Sequence, residues 1–266
     1  MNRPESPAIP DVHSHPDARA LAIDRVGIRG LRYPIHFADG DAAPQPTIAS
    51  CSVSVELPAD RKGTHMSRLV AVVDELREPL SLAMLPRLLD AMLARLEATS
   101  GRIEIGFTWF RRKAAPVSGV ESMMDYEAQI VADATEGKRS IAVTVVVPVM
   151  SLCPSSKAIA DYGAHNQRSH LTLSVRPRDA ASVTLEELVK LAEEEASCEL
   201  YGLLKRSDEK YVTERAYDRP RFVEDLVRGI AGRLAADPRF EGFRVEAENF
   251  ESIHNHSAYA RIERGA

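Results

Sequence analysis

The stretch Leu85-Pro-Arg-Leu88-Leu89-Asp-Ala-Met92-Leu-Ala-Arg-Leu96-Glu-Ala-Thr-Ser-Gly101-Arg-Ile103-Glu-Ile105-Gly-Phe107-Thr-Trp109 changes its hydrophobic period midway. Up to Leu96 the apolar residues Leu85, Leu88, Leu89, Met92 and Leu96 fall on one helical face, with Gly101 just past the end. From Ile103 they alternate with polar neighbours, the period of a strand with one buried face. Before this junction, Leu69, Val72, Val73 and Leu76 are spaced for another helix, with Thr64 as its N-cap. Earlier still, Val53, Val55 and Leu57 alternate with Ser52, Ser54 and Glu56, and residues 26–35 read as a strand punctuated by Gly27, Gly30 and Pro34. A strand over residues 124–132 closes the series, which runs strand, strand, helix, helix, strand, strand.

The second half repeats that order. Residues 141–149 form a nearly continuous apolar run, as a strand buried on both faces would. Leu171, Leu173 and Val175 alternate with Thr172, Ser174 and Arg176, and Thr184-Leu-Glu-Glu187 is a capping box opening a helix through Leu188, Leu191 and Ala192. Pro220 suits the first turn of a further helix carrying Phe222, Leu226, Ile230 and Leu234. Strands over Phe243, Val245 and Ala247 and over residues 259–262 finish the pattern. The expectation is an α+β fold of two tandem ββααββ units, each an antiparallel sheet with its helix pair on one face. Residues 1–20, with Pro4, Pro7, Pro10 and Pro16, read as a flexible arm; 21–136 form the first unit and 137–266 the second, which carries most of the candidate chemistry. Residues 150–169 and 205–219 lack clear periodicity, and irregular segments inside a domain are disproportionately functional.

A hydrophobic content of 44% and a charged content of 27% belong to an ordinary globular chain, and a net charge of −5 argues against nonspecific nucleic-acid or anionic-membrane binding. An anionic substrate in a local basic pocket stays compatible with that charge. Cys51, Cys153 and Cys198 are scattered and form no CxxC, which fits a reducing cytoplasm. No stretch approaches the ~20 apolar residues of a membrane span, and the N-terminus has no apolar signal region.

Five segments are candidates to carry chemistry. Asn249-Phe-Glu251-Ser-Ile-His254-Asn-His256 places two imidazoles two residues apart; on an extended strand both leave one face and Glu251 leaves the other. They read as metal ligands or proton carriers, or as a polar strand rim. Ser151-Leu-Cys153-Pro-Ser-Ser-Lys157, followed by Gly163-Ala-His165, offers a thiol among polar neighbours with Lys157 close by, as nucleophile or ligand. Cys51 and Cys198 instead suit buried packing. Lys62-Gly-Thr-His65-Met-Ser-Arg68 is a basic cluster entering a helix N-terminus, where an anion is favoured, but it lacks the spacing of a P-loop. Lys205 to Glu214 reads as a solvated charged loop, and Glu224 in a first helical turn as dipole compensation.

In order along the chain, Lys62-Gly-Thr-His-Met-Ser-Arg68, Gly163-Ala-His-Asn-Gln-Arg-Ser169, Asp208-Glu-Lys-Tyr-Val-Thr-Glu214, Phe222-Val-Glu-Asp225 and Asn249 to His256 resemble the motifs of GTP cyclohydrolase type IB, the prokaryotic folate-pathway branch. The resemblance implies two tunnelling-fold units per chain in a cytoplasmic homotetramer, acting on GTP. It implies a divalent metal (Mn, Zn or Fe) held by Cys153, His165 and Glu209, with Glu214 the alternative carboxylate. It further implies Glu224 on the guanine edge, His254 and His256 as catalytic histidines beside Cys153, and Lys62, His65 and Arg68 on the triphosphate or a subunit interface. The reaction would give 7,8-dihydroneopterin triphosphate and formate, or a cyclic-phosphate relative. Where members of the family often carry a second Cys, this chain has Ser155. Two rival readings use the same fold: a nitrile reductase acting on a deazaguanine, with a covalent Cys and a nicotinamide, and a non-catalytic purine- or pterin-binding protein. A metal assay separates the first from a cyclohydrolase, and GTP binding without formate release marks the second.

Overall fold

Alternation decides which side of each strand is buried, and the helices cover that side. The computed structural model describes residues 13, 15–76, 78–135 and 137–265, so most of the arm expected over residues 1–20 lies outside the described residues. The first unit runs β1 (Ile23–Phe37), β2 (Gln45–Leu57), α1 (Met66–Asp74), α2 (Leu85–Leu96), β3 (Gly101–Ala114) and β4 (Glu121–Thr135). The second runs β5 (Lys138–Leu152), α3 (Pro154–Ile159), β6 (Asn166–Pro177), α4 (Leu185–Glu195), β7 (Cys198–Glu199), α5 (Arg206–Asp218), α6 (Val223–Ala236), β8 (Phe240–Asn249) and β9 (Ala258–Arg264).

All strands join one antiparallel sheet in the order β1-β2-β3-β4-β5-β6-β8-β9, with the two-residue β7 paired to β5. The β4–β5 pairing, from Glu127↔Val146 to Thr135↔Lys138, makes the two ββααββ units continuous. On the helix side, Val145 faces Leu173 and Leu173 faces Val245, all fully buried. Burying each such side chain contributes about 1.5–3 kcal/mol. The other face, with Thr144 and Ser174 bonded to each other at 2.9 Å, stays open.

Several boundaries differ from the sequence reading for local reasons. The N-cap of α1 is His65 rather than Thr64, and it makes no side-chain cap bond. α2 ends on Glu97 in the left-handed region (φ 52°), and Gly101 already begins β3. Pro220 precedes α6, whose N-cap is Phe222; Asp225 accepts from the Phe222 N–H at 2.9 Å. β5 is not buried on both faces: Val143, Val145, Val147 and Val149 are buried while Thr144, Val146 and Pro148 are half-buried, because the open face lacks a covering layer. β1 keeps its irregularity, a register shift between Ile28 and Leu31 where Gly30 has φ +69°.

The segments read as irregular contain α3 and α5. α5 escaped the periodicity because one residue of its buried row is polar: Asp208 sits with Val212 and Ala216 against the core. Its carboxylate accepts from the Val117 and Ser118 N–H groups, both at 2.8 Å, from the Ser118 hydroxyl at 2.6 Å and from the Lys205 N–H at 2.8 Å. Burial alone would raise the Asp208 pKa, but these donors outweigh it and hold the carboxyl well below the usual carboxylate range. A depressed carboxylate contributes stability in full above its unfolded pKa of about 3.9, and that stability is lost as pH falls through the lower folded value. Asp208→Asn should therefore unfold at a higher pH than the parent in an acid titration followed by circular dichroism. Coincident acid transitions would contradict this assignment.

Candidate active site

Three neighbouring strands finish their core-facing rows on polar residues at the same sheet end. β5 runs Val145, Val147, Val149, then Ser151; β6 enters through Gln167 and Ser169 before Leu171; β8 runs Val245, Ala247, then Asn249. Register places Ser151 opposite Gln167 and Ser169 opposite Asn249. Each is buried, so each needs a partner. The Gln167 amide donates to Ser151 Oγ at 2.9 Å, Ser151 and Ser169 hydroxyls bond at 2.8 Å, and Ser169 donates to Asn249 Oδ1 at 2.7 Å.

Above this polar floor lies a cleft of about 510 Å³ whose lining includes Cys153, His165, Glu224, His254 and His256. Cys153 and His165 are tied together by the backbone, the Cys153 N–H donating to the His165 carbonyl at 3.1 Å. Cys153 Sγ accepts from the Ser156 N–H at 3.3 Å, and Ser156 Oγ accepts from the His165 N–H at 3.2 Å. With the Gln167 amide nitrogen committed to Ser151, its oxygen faces His165 Nδ1 at 2.9 Å. That network assigns the proton to Nδ1 and leaves Nε2 with a free lone pair, the state in which an imidazole binds metal. Lys157 does not face the thiol: its ammonium bonds the Tyr217 carbonyl and stands over that ring.

His254 and His256 do share a side, but not through strand geometry. β8 ends at Asn249 and residues 250–257 form a bent loop, in which the two rings stack at 5.2 Å and 17°. Because alternation stops there, Glu251 lines the same cleft instead of the opposite face. Glu224, on the exposed first turn of α6, reaches the cleft beside Arg221, whose N–H and Nε are taken up by the Leu152 and Glu195 carbonyls. Ser155, at the departure from the family pattern, also lines it.

The remaining expected residues stand elsewhere. Glu209 is exposed on α5 and absent from the cleft lining, and Glu214 is ion-paired to Lys210. Lys62, His65 and Arg68 lie at the entrance to α1, outside the lining; the Lys62 N–H bonds the His15 carbonyl at 3.0 Å, and the His65 ring meets His13 at 4.6 Å. A thiol and an imidazole with a free Nε2 suit a divalent transition metal, but no group of three His, Cys, Asp or Glu converges among the described residues. The fit within one chain is therefore two donors of three. Sequence reading assigned no role to Ser151, Gln167, Ser169 or Asn249 as a network; their signal is polarity at positions where alternation demands a core residue.

A family model described as type I GTP cyclohydrolase folE2 matches residues 9–260. GTP cyclohydrolase FolE2 2 of Cupriavidus metallidurans is 57% identical over 255 residues, covering 96% of this chain and 94% of that protein. GTP cyclohydrolase FolE2 1 of Dechloromonas aromatica is 54% identical over 263 residues, covering 98% of each. Among solved structures, a uricase from Bacillus fastidious matches with TM-score 0.55 at 10% identity, over 90% of this chain and 92% of that one. The uricase of Arthrobacter globiformis matches with TM-score 0.51 at 10% identity and the same coverage. These two likenesses concern the fold alone.

Proposed function

The chain belongs to the type I GTP cyclohydrolase FolE2 family, and from that membership we propose that the cleft over β5, β6 and β8 is its catalytic centre. The chain is a GTP cyclohydrolase of folate biosynthesis with the tandem ββααββ tunnelling fold, which sets aside the nitrile-reductase and non-catalytic readings. The observation supporting the site is the convergence of Cys153, His165, Glu224, His254 and His256 on one cleft.

In this reading Cys153 and His165 hold one divalent metal per site, with Glu209 completing the set. A sulfur, a nitrogen and an oxygen donor leave Mn, Zn and Fe all open. When bound, the metal supplies Lewis acidity and a lowered pKa for water. Glu224 accepts the two N–H donors of the guanine edge and so orients the base. His254 or His256 protonates the imidazole-ring nitrogen of the purine, which makes C8 electrophilic; one water adds to C8 and the C8–N bond breaks to give a formamide, and a second water hydrolyses that formamide to release formate and the free amine. The ribose carbons then close the pterin ring, giving 7,8-dihydroneopterin triphosphate.

Glu209, Lys62, His65 and Arg68 enter from a second copy in a cytoplasmic homotetramer. Support comes from Glu209 facing outward on α5 and from exposed apolar side chains lining the cleft, Ile159 and Ile253 at 82% and 64% exposure. No helix among the described residues is long and apolar enough to cross a membrane. With GTP and Mn²⁺ or Zn²⁺, the protein should yield a pterin detectable by fluorescence after oxidation. Cys153→Ala and Glu209→Ala should each be inactive, and mixed subunits of the two should regain activity. No pterin with any metal would overturn the catalytic reading. No recovery on mixing would overturn the shared site.

A further inference from the structure

The open face of the sheet carries a second cleft, of about 460 Å³, at the strand ends away from the catalytic one. Both clefts touch β5, the second at Ser140 and Thr144 and the first just past its end at Cys153. At about 3.3 Å per residue Thr144 and Cys153 are ~30 Å apart along β5, and the two linings come closest along β8 and β9, where Arg244 to Asn249 and Ala258 to Glu263 each span ~17 Å. Arg25, Arg102, Arg176, Arg244 and Arg264 all line the second cleft. Only Asp133 and Glu263 among its lining are acidic, and both are engaged. Asp133 bonds Arg25 at 2.9 Å and Arg102 at 3.4 Å, and Glu263 pairs with Arg261, outside the lining.

That leaves Arg176 and Arg244 with no hydrogen-bonded carboxylate among the described residues, although Glu263 attracts both through space. Arg176 is half-buried and makes no hydrogen bond or ion pair to a carboxylate among the described residues. Arg244 Nε is buried without a hydrogen bond, and the Glu246 oxygen stands 3.6 Å away, shared with Arg261 at 3.7 Å. Only the Nε of Arg244 lacks a hydrogen-bond partner while the side chain as a whole is 43% exposed, so an incoming anion can reach this guanidinium and satisfy it. The floor adds Ser140, Thr144, Ser174 and Gln129, short polar side chains that leave room and offer further hydrogen bonds. The cleft contains no histidine, so its excess of positive charge persists at every physiological pH, against a chain of net charge −5.

We infer that this arginine-lined cleft is a second, non-catalytic anion site that takes an oligophosphate. Guanidinium forks match phosphate oxygens in bidentate fashion, and several forks around one pocket favour a ligand with several adjacent negative charges over a single carboxylate. The pocket volume is within the range of small-ligand sites.

The test titrates inorganic triphosphate into the intact, metal-loaded protein by calorimetry. The parent should show a class of sites that weakens at least about tenfold in Arg176→Ala, the loss expected for one charge-assisted pair. Arg176→Lys should retain part of the affinity. Ser140→Glu, which puts a carboxylate on the floor, should abolish the same class, and affinity in the parent should fall steeply with added NaCl. GTP turnover should be unchanged in all three variants, and their melting curves report folding. The inference is overturned by a parent without such sites, or by Arg176→Ala and Ser140→Glu binding as tightly as the parent. Altered oligomer mass in those variants with unchanged anion binding would also overturn it, assigning the cleft to contact between copies.

Discussion

Cys153→Ala is expected to lose turnover and metal together, with the GTP rate falling at least about a thousandfold, or ~4 kcal/mol in the barrier. In the proposed site the metal donors from this chain are Cys153 and His165, held side by side by the 3.1 Å backbone bond between them. Removing the thiol leaves one imidazole, too little to retain a divalent ion, and the Lewis-acid contribution of several kcal/mol goes with it. Alanine also removes the acceptor for the Ser156 N–H, a small loss at a half-buried position that should leave the melting curve nearly unchanged. The contrast lies with the loop histidines. His254→Ala and His256→Ala should slow turnover by about 10²–10⁴, the usual weight of proton transfer, while metal content by elemental analysis stays at the parent level. A Cys153→Ala protein with full metal and near-normal rate would remove the assignment.

The largest stability effect is expected at Glu193, far from that chemistry. Its Oε1 accepts from Lys113 Nζ at 2.6 Å and from the Tyr126 hydroxyl at 3.1 Å, and its Oε2 accepts from Arg111 at 3.0 Å. Lys113 and Glu193 side chains are each only 9% exposed. Burial lowers the Lys113 pKa, and the Glu193 carboxylate beside it works the other way, keeping the charge. Burial likewise pushes the Tyr126 hydroxyl far above its ordinary range. Because Arg111 and Lys113 belong to β3 and Glu193 to α4, the cluster ties the first unit to the second. Glu193→Ala strands the buried Lys113 ammonium, with only the Leu200 carbonyl at 2.8 Å left as hydrogen-bond acceptor, while Arg111 keeps Glu186 at 2.6 Å; the loss should cost about 3–5 kcal/mol. For a chain of this size that is a fall of roughly 10 °C in melting temperature. Lys113→Met in the Glu193→Ala background should recover part of the loss, since the uncompensated charge is the main penalty. A drop below about 1 kcal/mol would mean that water reaches the cluster.

Much of the fold was legible because it follows from period. The switch from Leu85–Leu96 spacing to Ile103–Trp109 alternation marks α2 and β3 without any tertiary information. What stayed hidden depends on contacts distant in sequence. α5 carries Asp208 where its buried row needs an apolar residue, and the reason is a β3–β4 turn about ninety residues earlier. The Thr64 and Pro220 assignments followed local preference, whereas the surrounding packing began the helices at Met66 and Val223.

The candidate site was legible as a set of residues but not as geometry. Cys153, His165, Glu224, His254 and His256 were all marked by the family resemblance, and they do meet. Strand reasoning misplaced Glu251 because β8 stops at Asn249, two residues sooner than alternation assumed. Glu209 shows the limit of a single chain: it stands exposed on α5, outside the cleft lining, and its pairing with Cys153 belongs to the proposed assembly of copies.

The most direct measurement is a cobalt(II) titration of the metal-free protein, following the thiolate-to-cobalt charge-transfer band. The expected result is a band of one equivalent per chain in the parent, absent in Cys153→Ala, weakened in His165→Ala and unchanged in His254→Ala and His256→Ala. A band that survives Cys153→Ala, or one that disappears with either loop histidine, would contradict a cleft in which Cys153 and His165 hold the metal and the histidine pair moves the protons.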